Sequence, residues 1–331
     1  MRLPGKSGII LVIIMSVMTG RCSEVQTVEP VSATRFMLDT LCSITIYDPP
    51  DEAILKEALD LCAEYEALFS ITAEGSDVWR INHAGGEPIE VAPQTAELIR
   101  AGLEFGELSG GMFDITIGRL STLWDFTGRS GVPAEADIAS ALASVDYRQV
   151  SVINNTVQIS DPEAWIDLGG IAKGYLADKA ADFLKERGVR SAVIDLGGNI
   201  VTVGQKSDGS VWRVGVTKPF GERSDLIGII EAGESSIVSA GVYERQFVEN
   251  GVRYHHILDP YTGMPVISDV VSATVVSDSS TNGDALSTTL VLLGSESAEA
   301  TINRVFGVIG ALLVLDSGEI LRYGDIVFKE V

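Results

Sequence analysis

Three kinds of group in this chain could act together on a substrate: an imidazole beside a turn, a carboxylate paired with a hydroxyl, and a glycine-led helix start. The histidines are His83, His255 and His256. The last two stand in Tyr254-His255-His256-Ile257-Leu258-Asp259-Pro260-Tyr261-Thr262-Gly263, at a strand end where Pro260 and Gly263 force a turn. An imidazole there, with an ordinary pKa near ~6.5, suits a general base. Equally, one ring could pack in the core while the other caps the loop. His83 follows a helical turn and reads as a surface residue. Asp284 and Thr288 are four apart in a helical pattern and so share a face. With backbone carbonyls they would make a hard-oxygen site suited to Mg2+ or Ca2+ and not to zinc. The alternative is a carboxylate facing a helix dipole beside a packed hydroxyl. Lys173 is a cation near the third group, the start of a central helix, where it could help hold a phosphate.

That helix is the element that must position these groups. The stretch 166–179 runs Ile-Asp-Leu-Gly-Gly-Ile-Ala-Lys-Gly-Tyr-Leu-Ala-Asp-Lys. It reads as the end of an apolar strand at 164–168, a glycine pair, and a helix whose apolar residues recur at Ile171, Tyr175, Leu176, Ala180, Phe183 and Leu184 until Gly188. Gly169 and Gly170 carry no Cβ, so a ligand could approach their backbone closely, and the unpaired N–H groups of a helix start suit a phosphate. Packing alone would also explain the two glycines. Asp114 in Gly-Gly-Met-Phe-Asp-Ile-Thr and Asp195 in Asp-Leu-Gly-Gly-Asn lie beside glycine turns, where a carboxylate ordinarily bonds local N–H groups.

Around this centre the pattern predicts a strand at 36–48, helices at 51–69, 76–82, 93–108 and 133–143, and a hairpin at 149–153 and 156–160. Strands are expected at 191–194, 211–216, 226–231, 236–240, 252–258 and 271–277. Helices at 281–293 and 296–305 and strands at 310–315 and 325–329 close the chain. Helices and strands mix without βαβ alternation and G-x-G-x-x-G is absent. The expected class is therefore α+β, with mixed or antiparallel sheets and packed helices, and not a doubly wound parallel sheet.

A chain of 331 residues can bury a substantial core as one large domain or two small ones. Its formal charge of −22 argues against binding nucleic acid or an anionic membrane surface. An anionic ligand is still admissible, because a bound divalent cation inverts the local field. Arg2 and Lys6 precede an apolar run at 8–18, so residues 1–21 read as an export signal. Cys22 stands where a bacterial lipoprotein carries its lipid, with Arg21 before it in place of a small residue. Residues 22–35 then read as a tether and 36–331 as the folded domain, at the outer face of the cytoplasmic membrane or in the periplasm. Cys42 and Cys62 could form a disulfide in an oxidising compartment, and no Cys/His spacing fits zinc.

Taken in order, segments 76–82, 110–118, 166–178, 195–199, 239–241, 256–265 and 284–288 resemble the ApbE family of flavin transferases, over nearly the whole chain beyond the export signal. The resemblance implies an ApbE-like (T-fold-like) architecture. It also implies an enzyme that binds FAD with Mg2+, cleaves the pyrophosphate, and moves FMN onto a threonine or serine hydroxyl of an acceptor flavoprotein, releasing AMP. Carried over, Asp284 and Thr288 would hold the metal by side chains, and Gly170 and Ser287 by backbone oxygen. Met112, Phe113, Asp114, Asp167 and Lys173, with Leu38, Thr72 and Ile257, match nucleotide positions. His256 matches the proposed base. Two departures stand out. The family often has Met-Gly-Thr where this chain has Leu38-Asp39-Thr40, and Thr72 stands where some relatives place an aromatic residue over the isoalloxazine ring. The alternatives are a Mg2+-dependent FAD pyrophosphatase, with water as acceptor, and a surface flavin-binding lipoprotein with little turnover.

Overall fold

The computed structural model describes residues 29–128, 131–206, 208–222 and 224–331. The expected export signal and Cys22 lie outside the described residues. The chain enters as β1 (Val31–Met37) and turns through Leu38 and Asp39, both at positive φ, into β2 (Thr40–Asp48). A two-residue turn of this hand matches the twist of an antiparallel pair. The strand expected at 36–48 is therefore the second arm of a hairpin, and residues 31–35, read as tether, belong to its first arm.

Asp51 caps α1 (Glu52–Phe69) by accepting from Ala53 N and Ile54 N, and Ser76 caps α2 (Asp77–Asn82) by accepting from Trp79 N. Then follow β3 (Ile89–Glu90), α3 (Pro93–Leu108), α4 (Gly118–Trp124), α5 (Glu135–Leu142) and the hairpin of β4 (Val150–Ile153) with β5 (Thr156–Ile159). The expected central helix is α6 (Ala172–Glu186). Its expected lead-in strand, 164–168, is extended chain without a ladder. Trp165 makes one bridge to Ile117, and Asp167 N donates to Ile115 O. Beside it, the Asn82 amide donates to Ile166 O and accepts from Ile166 N, at 2.9 and 2.7 Å. A side chain stands in for a neighbouring strand.

The second half holds β6 (Ser191–Leu196), β7 (Asn199–Gly204), β8 (Trp212–Thr217), β9 (Leu226–Ala232), β10 (Ser235–Gly241), β11 (Gln246–Glu249), β12 (Val252–His255) and β13 (Val270–Ser277). After them come α7 (Ser280–Leu293), α8 (Ala298–Ile302), β14 (Val308–Leu315), β15 (Ile320–Gly324) and β16 (Val327–Glu330). Gly197 and Gly198, both at positive φ, make the tight turn between β6 and β7, so the expected glycine turn is a hairpin tip.

Eight strands form one sheet in the order β1-β2-β6-β7-β10-β13-β14-β15, every pairing antiparallel. Helices α1, α6 and α7 cover one face, where Leu59, Leu176 and Leu286 join Ile44, Ile194 and Val275 in the main core. On the other face Ile237, Val276 and Leu312 meet Val214, Ile230 and Phe328 of a smaller sheet, β16-β9-β8. The middle strands are thus buried on both sides, which is why β13 is buried along nearly its whole length rather than at alternate positions. The architecture is the expected α+β, with antiparallel sheets and packed helices. Among the described residues, no helix is long and apolar enough to cross a membrane.

Candidate active site

Helices α6 and α7 meet at a glycine. A Cβ on Gly174 would lie 2.2 Å from Ser280 O and 2.7 Å from Asp284 Cβ, so this approach requires glycine. Gly174 N, in the first turn of α6, donates at 2.8 Å to Asp284 Oδ2 instead of to a carbonyl one turn back. Among the described residues, the Gly170 carbonyl accordingly has no backbone donor and the Lys173 N–H no backbone acceptor. The opposite end of the contact is tied by Asp178 on α6. Its carboxylate accepts from Ser280 N, Thr281 N, Thr281 Oγ1 and Ser279 Oγ at the start of α7. Each helix thus sends one carboxylate to the backbone near the start of the other.

Asp284 is only 4% exposed. Burial pushes its carboxyl pKa up, against the opposing pull of the Lys173 charge, the Gly174 N–H and the Asn199 amide. Lys173 Nζ donates to Asn199 Oδ1 at 3.2 Å and stands 4.0 Å from Asp284 Oδ1. Thr288 lies one turn further along α7, partly buried. Ser287, expected to offer its backbone oxygen, is fully buried on α7, and its hydroxyl donates to Asp284 O. Among the described residues, no three His, Cys, Asp or Glu side chains gather into a metal cluster. Mg2+ does not need one, since it is commonly held by one or two carboxylates with waters and substrate phosphates. A buried carboxylate, a hydroxyl on the same helix face and a backbone oxygen without a backbone donor fit such an ion.

The His256 loop arrives on a hairpin. Strands β11 and β12 turn through Asn250 and Gly251, both at positive φ, and β12 ends at His255. Phe247 and Tyr254 stack at 5.3 Å and lean on Trp124 and Phe126, which stack at 5.4 Å. Trp124 Nε1 donates to Gly263 O, and Tyr261 OH to Gly110 O, at 2.8 and 2.6 Å. These bonds fix the turn that follows the two histidines. His255 is the packed ring. His256 N donates to Arg245 O, and the ring's Nδ1 is buried with no partner among the described residues. Burial, with the nearby Arg245 and Lys173 charges, holds the His256 pKa down to about 3, so the imidazole is neutral at physiological pH.

The remaining expected contacts divide. A Cβ on Gly170 would sit 3.2 Å from Phe113 Cε2, so the Phe113 ring packs on the glycine at the start of α6. Asp167 accepts from Gly169 N at 2.8 Å and from Ser121 Oγ at 2.6 Å, which rigidifies the same turn. Met112 is partly buried against the core, as is Leu38, whose N–H donates to Glu66 Oε1. Asp114 spends one oxygen on Thr116 N and Oγ1, a local turn, and the other on Tyr147 N, 33 residues along the chain. Ile257 is buried, with its carbonyl taken by Val266 N, and Thr72 stands on the exposed loop after α1. Asp195 accepts from Gly198 N, another turn acid. Cys42 and Cys62 are free, so the possible disulfide is not formed. Burial pushes these thiols up to about 11 and about 12.

Sequence reasoning passed over Asn199, Asp178, Ser121, Asn82 and Trp124. Asn199 closes a glycine turn that draws notice for its aspartate. The partners of the others lie far away in the chain and leave no local signal.

The ApbE family model matches residues 38–313. An FAD:protein FMN transferase of Klebsiella pneumoniae is 36% identical over 83% of this chain and 89% of its own length. One of Treponema pallidum is 34% identical over 91% and 88%. Among solved structures, an ApbE protein of Thermotoga maritima superposes with a TM-score of 0.81 at 34% identity, covering 89% of this chain and 97% of that one. A flavin transferase of Vibrio cholerae gives 0.80 at 29% identity, covering 90% and 97%.

Proposed function

We propose a function from one premise: this chain belongs to the ApbE family. It is an enzyme that transfers FMN from FAD to a threonine or serine hydroxyl of an acceptor protein and releases AMP. The observation that carries the assignment of roles is the Lys173 ammonium beside the buried Asp284 carboxyl at the start of α6, with the His256 imidazole near enough to feel the Lys173 charge.

The acceptor oxygen attacks the phosphorus of the FMN half, the bond from that phosphorus to the bridging oxygen breaks, and AMP leaves with the electron pair. The hydroxyl proton passes to the His256 imidazole, which the fold keeps neutral. A pKa near 3 makes a weak base. The pyrophosphate charge, offsetting Lys173 and Arg245, raises it on binding. The Lys173 ammonium and the free N–H at the start of α6 hold the pyrophosphate. Asp284, Thr288 and the Gly170 carbonyl would hold Mg2+, which when bound neutralises the pyrophosphate and the charge that develops on the leaving oxygen. Leu38, Thr72, Met112, Phe113 and Asp167 line the nucleotide, while Asp114 and Ile257 brace the loops that carry their neighbours.

The N-terminal segment would export the chain and Cys22 would anchor it, placing its acceptors outside the cytoplasmic membrane. A second reading rests on Thr72. With a small exposed side chain where an aromatic residue could cover the isoalloxazine ring, water has easier access, and the products become free FMN and AMP.

One experiment separates the readings. The purified chain is incubated with FAD and Mg2+, with and without an acceptor flavoprotein domain, and AMP and flavin are followed. AMP with FMN covalently on the acceptor is expected. AMP with free FMN at one rate in both mixtures makes it a pyrophosphatase, and bound FAD without AMP makes it a flavin carrier.

A further inference from the structure

Asn199 is fully buried at the first position of β7, straight after the Gly197-Gly198 turn. Its Oδ1 accepts from Lys173 Nζ, which fixes the orientation of the amide because an ammonium can only donate. Its Nδ2 makes no hydrogen bond of ordinary length among the described residues, although the amide stands close enough to Asp284 to pull that carboxyl's pKa down. A buried donor without a bond of ordinary length is costly, so this side chain is poorly chosen for stability. Its neighbourhood suggests what it does instead. Lys173 and the buried Asp284 stand 4.0 Å apart, a loose ion pair. In a low-dielectric site, nothing in their charges resists closure to direct contact. The Asn199 amide occupies the ammonium at 3.2 Å, beside the carboxyl.

We propose that Asn199 is a positioning residue that keeps Lys173 from closing onto Asp284, so that the ammonium stays available to a pyrophosphate and the carboxyl to a divalent cation. The inference rests on the FMN-transfer reading, in which those two groups meet those two ligands. A direct lysine–aspartate pair would consume both at once. Asn199 therefore matters to binding although it touches neither ligand, and its amide lies between the ammonium and the carboxyl as a spacer.

The test uses ligand-free enzyme and three probes: ADP as a pyrophosphate, Mn2+ as a hard cation read by its paramagnetic resonance, and riboflavin as a flavin without phosphate. Asn199→Leu has nearly the same volume and no polar atoms. It should leave the melting temperature unchanged or higher, weaken ADP and Mn2+ about tenfold each, and leave riboflavin binding as it was. Adding Lys173→Met to Asn199→Leu should restore Mn2+ binding, since Asp284 is then released, and should not restore ADP. Asn199→Ala provides the same comparison if the leucine is not accommodated. The proposal is overturned if Asn199→Leu binds ADP and Mn2+ like wild type. It is equally overturned if all three probes weaken together with a fall in melting temperature, which is the mark of a structural role. Wild type that binds riboflavin, ADP and FAD while Asn199→Leu does the same removes this inference alone. Wild type that binds no FAD removes the transfer reading and this inference with it.

Discussion

His256 shows how one ring acquires a use from its surroundings. Burial and two nearby cations hold its pKa at about 3, against an ordinary value of 6.5, and its Nδ1 has no partner among the described residues. His256→Ala should therefore spare FAD binding and slow AMP release by about 10²-fold or more, measured as Kd by flavin fluorescence and kcat by AMP assay. An equal loss of both would make the ring a nucleotide contact. The same shift has a consequence for stability. Between pH 6.5 and pH 3 the unfolded chain binds a proton that the folded chain refuses, so stability is full above pH 6.5 and is lost as pH falls toward 3. His255, also lowered by burial, acts in the same sense. His256→Asn should flatten this dependence, seen as urea midpoints that change less between pH 6.5 and 4 than in wild type. At this scale the sequence was informative where chemistry announces itself by residue type. His256, Lys173 and Asp284 stand out as an imidazole, an ammonium and an acid at helical spacing from a hydroxyl. Asn199 and Asp178 do not, because what distinguishes them is a partner 26 residues away in one case and about a hundred in the other.

The element that organises the site is the crossing of α6 and α7. Two carboxylates, Asp178 and Asp284, each satisfy backbone donors near the start of the other helix, and Gly174 permits the approach. Gly174→Ala would drive a methyl into Ser280 O, a backbone atom that cannot swing aside. It should cost roughly 1–3 kcal/mol, seen as a lowered melting temperature, and should also weaken Mn2+ binding through displaced Asp284. A variant that melts like wild type and binds Mn2+ normally would mean that the helices part without consequence. Most helices were legible from their spacing and caps, since α1, α3, α6 and α7 fall within a residue or so of expectation. The apolar stretch before α6 misleads because Ile166 does pair its backbone, but with the Asn82 amide, and a strand partner made of a side chain leaves no periodicity to read. The glycine turn ahead of β7 was legible as a turn, and what its residues did not disclose is that it joins two neighbouring strands of one hairpin.

Taken as a whole, the molecule is a wide antiparallel sheet with helices on one side and a small sheet on the other, and its candidate site draws on elements from across the chain. A ligand that joins α6, α7 and the His256 loop should stabilise the entire fold. FAD with Mg2+ at a hundred times their dissociation constant should add about 2.7 kcal/mol, read as a rise in melting temperature that EDTA reverses in part. No rise with both present would separate the site from the nucleotide. The overall class was readable from the mixed element order. The pairing of the eight strands was not, because β10 and β13 neighbour each other across the whole β11–β12 excursion. The two buried thiols carry one more consequence. Cys42 on β2 and Cys62 on α1 are inaccessible and held at pKa values of about 11 and about 12, so an alkylating reagent meets almost no thiolate in the native protein. The rate at which a maleimide marks them thus clocks how often α1 lifts from the sheet. Once Cys22 is replaced, a single cysteine placed on the surface becomes an address for one fluorophore per chain.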